Sequence, residues 1–258
     1  MRVVSLACSN TEIVHALGCA ERLVGVDDHS DFPELLVARL PRLGPDLDPD
    51  LDRVAVLEPD LVLATLTVPG HERVVEALAR RGVPFLAPEP VSLEDVYRDI
   101  VEIAGRLGVP ERAGPLIADM RAELSAPPPP ADAPRVLIEW WPKPVITPGR
   151  RSWATDVLHA AGARGLLEHE EVKSRPLADD EVLRLAPDAF VVSWCGVQPQ
   201  KYRPDVVLRN PAWAELPAVR EGRVFCVPEA YLGRPGPRLV EGVRALRGVV
   251  AGLAAPRG

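Results

Sequence analysis

The sequence predicts an α/β protein of two similar parallel-sheet lobes, joined by a long backbone helix, with a ligand cleft between the lobes. Three internal echoes carry that prediction. "LEPDLVLA" at Leu57–Ala64 returns as "LAPDAFVV" at Leu185–Val192, with Pro59 and Pro187 128 positions apart. "RVVSLACS" at Arg2 is answered by "RVLIEWW" at Arg135, and "FLAPE" at Phe85–Glu89 by "FCVPE" at Phe225–Glu229. Solenoid repeats recur at roughly 20 to 50 residues, whereas these offsets are about half the chain and keep the same order.

The elements follow from the pattern of apolar residues. "RVVSL" reads as a buried strand, followed by Ser9 or Asn10 as N-cap and a helix with Ile13, Val14 and Leu17 on one face, stopped by Gly18. Strands follow at "RLVGV", "PDLVLA" and "VPFLAP", alternating with helices such as "GHERVVEALARRG", the order that gives a parallel sheet. The first lobe therefore covers 1–91. Over 92–126, Ser92 caps one helix that Gly108 ends, and Pro110 starts a second running to about Leu124. At 1.5 Å per residue this second helix spans roughly 22 Å, enough for a rigid strut. "PPPP" stiffens the exit. The second lobe, 134–258, repeats the scheme through "RVLIEWW", the helix "SWATDVLHAAGA", and the strands "PDAFVVSW" and "GRVFCVPE".

Composition narrows the function classes. The 258 residues are 47% hydrophobic and 26% charged, as in ordinary globular proteins. A net charge of −7 argues against nucleic acid or an anionic membrane as partner, because both need a basic surface. No apolar run approaches the roughly 18 residues of a membrane span. "MRVVSLACSN" has no secretory signal pattern, so the expected location is cytoplasmic as written, or extracytoplasmic where Met1 replaces a removed signal peptide. Cys8, Cys19, Cys195 and Cys226 form no CxxC pair, so neither a disulfide framework nor a structural zinc site is expected. The expected protein is a monomer that needs no cofactor of its own.

Ligands of parallel α/β sheets sit beyond the carboxyl ends of the strands, which makes the strand-end residues the candidate site. All five tryptophans lie in the second half. Trp140, Trp141 and Trp194 fall where strands end, with Trp153 nearby, and either pack against a large planar ligand or fill the lobe core. Trp213 is assigned to the core. Tyr231, Arg234 and Arg238 offer partners for propionate, phosphate or carboxylate groups on a ligand, and Glu229 is a further candidate ligand-binding residue. On the first lobe, Cys8, Asp27, Asp28, His29 and Glu89 follow strand ends, and Cys195 follows Trp194. Cys8 and His29 are candidate ligands for a metal centre, or a small apolar residue and a loop organiser. No nucleophile elbow, HExxH or glycine-rich phosphate loop supports an enzyme.

Taken together, "RVVSLACSNTEIVHALGCAERLVGVDDHSDFP", "LDRVAVLEPDLVLA", "PAWAELPAVREGRVFCV" and "RPGPRLVEGVRAL" resemble the helical-backbone (class III) substrate-binding proteins of ABC importers. The resemblance covers nearly the whole chain. It implies a ligand such as cobalamin or another corrinoid, with ferric siderophore, haem or metal ion as alternatives, and an ABC permease as partner. A cytosolic enzyme or ligand sensor on the same scaffold is the alternative of another class. The family normally carries a signal peptide or lipobox and docks through one glutamate per lobe. The matching positions here hold Asp52 and Asp180, seven residues before Pro59 and Pro187. These are either transporter-docking acids or acids favoured by a helix N-terminus.

Overall fold

The computed structural model describes residues 1–254; residues 255–258 of the expected second lobe lie outside the described residues. The chain divides into two compact units, Met1–Pro90 with Glu94–Asp119, and Val91–Leu93 with Met120 onward.

The first unit runs β1 (Val3–Ser5), α1 (Cys8–Ala16), β2 (Leu23–Val26), α2 (Glu34–Val37), α3 (Leu51–Val56), β3 (Leu61–Leu63), α4 (His71–Arg80), β4 (Phe85–Leu86) and most of α5 (Leu93–Arg106) and α6 (Ala113–Leu124). Its strands pair in parallel in the order β2-β1-β3-β4. β1 and β3 are buried along their whole length, which is why they read as near-continuous apolar runs, broken only by Ser5, rather than alternating ones. Val4, Leu6, Val54, Val62, Val74 and Leu78 join strands and helices in one core. α1 starts two to three residues earlier than the sequence suggests. Its N-cap is Ala7, with no side-chain cap, and Ser9 and Asn10 lie inside the helix, buried. Asn10 is drawn inward because its Nδ2 donates to the Ala64 carbonyl beyond β3, at 2.7 Å. Gly18, at φ +67°, ends the helix turn as expected of glycine.

The second unit runs β5 (Arg135–Glu139), β6 (Trp141–Pro142), β7 (Val145–Pro148), α7 (Trp153–Ala160), β8 (Arg164–Gly165), β9 (Ser174–Leu177), α8 (Asp179–Leu185), β10 (Ala189–Val192), α9 (Asp205–Leu208), α10 (Pro217–Arg220), β11 (Val224–Cys226), α11 (Glu229–Leu232) and α12 (Leu239–Ala254). Its main sheet, β11-β10-β5-β8, is again wholly parallel. With β5 matched to β1, β10 to β3, β11 to β4 and β8 to β2, the two sheets have one strand order. The sequence echoes are therefore a duplicated topology. A second sheet, the antiparallel β6-β7-β9, is not foreseen by the sequence reading. Pro142, Pro144, Pro148 and Pro176 hide it, since proline normally argues against a strand and is tolerated in short edge ladders such as these.

The repeated "L-x-P-D" has a local reason. Glu58 and Ala186 both take left-handed backbone, φ 44° and 45°, and each is followed by proline, so α3 and α8 stop at the same point before a core strand. Segment 92–126 is not set apart as a unit of its own: α5 from Glu94 and α6 as far as Asp119 belong to the first unit.

Candidate functional site

In each main sheet the connections leave the central strands in opposite directions, which puts the topological switch point at the ends of β1 and β3 in one unit and of β5 and β10 in the other.

At the first, Cys8 opens α1 directly after β1. It is half-buried, and its Sγ donates to Asp27 Oδ2 at 3.6 Å. Asp27, at the end of β2, is buried and also accepts the His29 N–H at 3.0 Å and the Ser30 hydroxyl. Burial raises its carboxyl above the ordinary value, against the lowering by Ser30 and His29. Thr11 Oγ1 extends the network to Ser5 and Ser30, each at 2.8 Å. Asp28 and His29 themselves are exposed, and Asp28 Oδ1 accepts the Gly44 N–H. Asp46 and His71 belong to the same region and are absent from the sequence reading. The buried His71 receives the Val68 N–H on Nδ1, which leaves Nε2 to donate to Asp46 at 3.2 Å. Burial pushes the Asp46 carboxyl up, the hydrogen bond from His71 pulls it down, and the net shift is downward. Glu89, after β4, is exposed. Among the described residues no group of three or more His, Cys, Asp or Glu side chains converges on a bare metal ion.

At the second switch point the expected wall of indoles is only partly there. Trp141, on edge strand β6, is 44% exposed. Trp140 is half-buried, and its ring lies 6.2 Å from that of Trp153. Trp194 and Trp153 are buried, at 7% and 6% exposure, so Trp194 does not have the partial exposure expected of an open platform. Trp194 packs with Leu137, Phe190 and Tyr202 in the core, and its indole N–H donates to Glu139 Oε1 at 2.7 Å. Trp153 donates its indole N–H to the Leu232 carbonyl at 2.8 Å, tying α7 to the end of α11. Trp213 stacks on Phe190 at 5.4 Å, inside the core. Cys195 is exposed, its backbone N–H on the Trp140 carbonyl.

α11 and the loop behind it present Glu229, Tyr231, Arg234 and Arg238. Arg238 lies over the Tyr231 ring at 4.8 Å, a cation–π contact. Arg234 pairs with Glu229 at 3.1 Å. Gly242 of α12 passes so close to the Tyr231 carbonyl that a β-carbon there would collide with it, which holds α11 down.

Glu139 is the residue the sequence reading missed most plainly. It is buried at the end of β5, and burial pushes its carboxyl up to about 7 against the lowering by Trp194. A lone charge closing the apolar run "RVLIE" is the signal that marks it. Tyr202 is the other: its hydroxyl accepts the Glu229 N–H at 2.9 Å and donates to the Trp194 carbonyl.

Away from these places, Asp52 and Asp180 occupy equivalent first-turn positions on α3 and α8, with side chains 89% and 76% exposed. Asp52 pairs with Arg81 at 2.7 Å and Asp180 with Arg184 at 3.5 Å. No helix among the described residues is long and apolar enough to cross a membrane.

Known proteins match this architecture over its whole length. An uncharacterized ABC transporter substrate-binding lipoprotein of Bacillus subtilis, YvrC, is 29% identical over 254 residues, covering 95% of this chain and 78% of that protein. A vitamin B12-binding protein of Vibrio parahaemolyticus is 26% identical, over 94% of this chain and 86% of its own. The crystal structure of a periplasmic heme-binding protein from Pseudomonas aeruginosa superimposes with a TM-score of 0.81 at 30% identity, covering 100% of this chain and 95% of that one. The family model described as periplasmic binding protein matches residues 3–231, and the chain belongs to that family.

Proposed function

We propose that the protein is the extracytoplasmic substrate-binding component of an ABC importer, and that its cargo is a metal-containing macrocycle or chelate, a cobalamin-like corrinoid first. The observation that carries the reading is the switch point of the second unit, where β5 runs directly into Trp140 and the exposed Trp141. Exposed indole at a strand end is costly to leave in water and suits a flat, largely apolar ligand. Arg238 beside Tyr231 adds a cation for a carboxylate or phosphate on its rim. The relatives' names, vitamin B12-binding and heme-binding, fall in this ligand class. On this reading the work is binding and delivery, with no turnover and no cofactor of the protein's own.

Haem is the second reading, favoured by the exposed His29 imidazole and the half-buried Cys8 thiol. Each suits one axial position of a metal already held by a chelate, a role that needs no converging cluster of protein ligands. Asp52 and Asp180 serve as the permease-docking acids: they are exposed, equivalent in the two units and already beside arginines.

The test is titration of the purified protein with cyanocobalamin, hemin and ferrichrome, read by tryptophan fluorescence and by absorption of the bound fraction. Binding of one of them at about micromolar concentration, the range of specific small-ligand sites, supports the reading; no binding of any overturns it. Exchanging Asp52 and Asp180 together for alanine should leave that affinity unchanged and abolish uptake by vesicles carrying the cognate permease.

A further inference from the structure

Glu139 and Trp194 close the two central strands of the second unit with a buried hydrogen bond. From it a connected path leads outward: Trp194 leans on Tyr202 at 5.9 Å, and the Tyr202 hydroxyl links the Trp194 carbonyl to the Glu229 N–H in the first turn of α11. α11 carries Tyr231, and Tyr231 lies under Arg238. The residues beside the pair are unusual too. Trp140 Nε1 and Ser193 Oγ are buried without a hydrogen-bond partner, where folded proteins nearly always supply one.

We propose that Glu139 is a proton-operated positioning residue of the ligand face: neutral, it holds Trp194 and through Tyr202 the start of α11 in the ligand-competent arrangement, and on losing its proton it loosens them. This deepens the corrinoid-or-haem reading and rests on it for the ligand. The physical cause is the cost of an anion in an apolar core, which outweighs the stronger hydrogen bond that a carboxylate accepts from Trp194 and which local opening and water entry relieve. Burial places the carboxyl at about 7, so the change falls within an ordinary pH range.

The groups on neighbouring elements leave that balance to burial. β5 packs on β10, β7 and β8. The titratable groups after β10 are Cys195, Lys201 and Tyr202; on β11 and α11 they are Cys226, Tyr231 and Glu229, the last paired with Arg234. β7 has none, and Arg164 of β8 is held by Glu168. α7 offers Asp156, taken up by the Leu93 N–H, and His159, paired with Glu168. The carboxyl is shifted by burial upward and by Trp194 downward.

The experiment uses the whole protein and two readouts. Without ligand, the Trp194 indole N–H resonance, assigned through Trp194→Phe, is followed by NMR from about pH 5.5 to 8.5, a range that brackets the expected midpoint. It should move with one proton near neutrality in the wild type and stay still in Glu139→Gln, whose amide keeps an acceptor of the same shape. With cyanocobalamin or hemin, wild-type affinity should be about threefold to tenfold weaker at about pH 8 than at about pH 6, while Glu139→Gln keeps the tighter value at both. An indole that does not titrate, or titrates equally in the variant, overturns the proposal; so does a titrating indole with pH-independent affinity. If neither compound binds at any pH, the proposed function fails, and the indole titration still decides whether Glu139 governs Trp194.

Discussion

Asp60 accepts the backbone N–H of Arg2 on Oδ2 at 2.6 Å, fastening the turn before β3 to the residue that leads into β1. Asp188 does the same for Arg135 at 2.7 Å. In return Arg2 Nε donates to the Leu57 carbonyl and Arg135 Nη1 to that of Leu185, the last residues before the left-handed Glu58 and Ala186. The aspartate of the repeated "L-x-P-D" is thus a clamp between neighbouring strands, present once in each unit.

Two kinds of change should therefore act in pairs. Asp60→Ala and Asp188→Ala should each cost about 0.5–1.5 kcal/mol, the worth of a partly solvated hydrogen bond. Ala186→Gly should stabilise by about 0.5–1 kcal/mol by relieving positive φ, and Glu58→Gly should do likewise. Urea unfolding of the four single variants measures this. Unequal effects between partners, beyond about 0.5 kcal/mol, would mean that the two halves do not share the clamp.

The duplicated sheets were legible because parallel core strands are apolar throughout and their flanking turns carry proline and aspartate that propensity alone picks out. The small antiparallel sheet was not, since its prolines mimic loop. At the candidate site, position was readable and orientation was not: the sequence puts Trp140, Trp141 and Trp194 at strand ends, but a period of two sends neighbours to opposite faces. Only side-chain partners, such as Glu139 for Trp194, decide which indole is core. Asp46 and His71 stayed hidden because their contact joins residues 25 positions apart.

The tryptophans should separate cleanly in experiment. Trp194→Ala should cost about 3–5 kcal/mol of stability, as truncation of a core aromatic does. Trp141→Ala, at an exposed position, should change stability by no more than about 0.5 kcal/mol yet weaken hemin or cyanocobalamin binding about threefold to tenfold, the worth of roughly 50 Å² of apolar contact. Melting temperature and affinity measured on both variants decide the matter. A wild-type affinity in Trp141→Ala would remove that indole from the ligand face.

Gly242 offers a test of how α11 is held. A β-carbon there meets the Tyr231 carbonyl and the Leu232 side chain, so Gly242→Ala must push α11 away from α12. The usual gain of about 0.5–1 kcal/mol for Gly→Ala within a helix should reverse to a loss of about 1–3 kcal/mol, as in overpacked cores. Gly248, on the same helix with open space around it, should show the gain. Circular dichroism melts of the two alanine variants give the comparison; equal stabilisation of both would refute the close approach.

The last prediction concerns stability against pH. Glu139 is raised by burial from an ordinary 4.5 to about 7, with the Trp194 hydrogen bond opposing. A carboxyl raised on folding binds its proton more tightly in the folded state, so its contribution is fully present below 4.5 and is lost as pH climbs to about 7. Above that, the folded protein carries an anion in its core. Glu139→Gln has nothing to titrate, so its stability should match the wild type at about pH 4.5 and exceed it by about 1–3 kcal/mol at about pH 8, within the limit that the shift sets. Asp27 is raised for the same reason, but it is common to both proteins and cancels in the difference. Urea unfolding of the pair at several pH values measures the gap. A gap that stays constant across the range would show that Glu139 is no more protonated in the folded chain than in the unfolded one, and that the core around Trp194 accepts its charge.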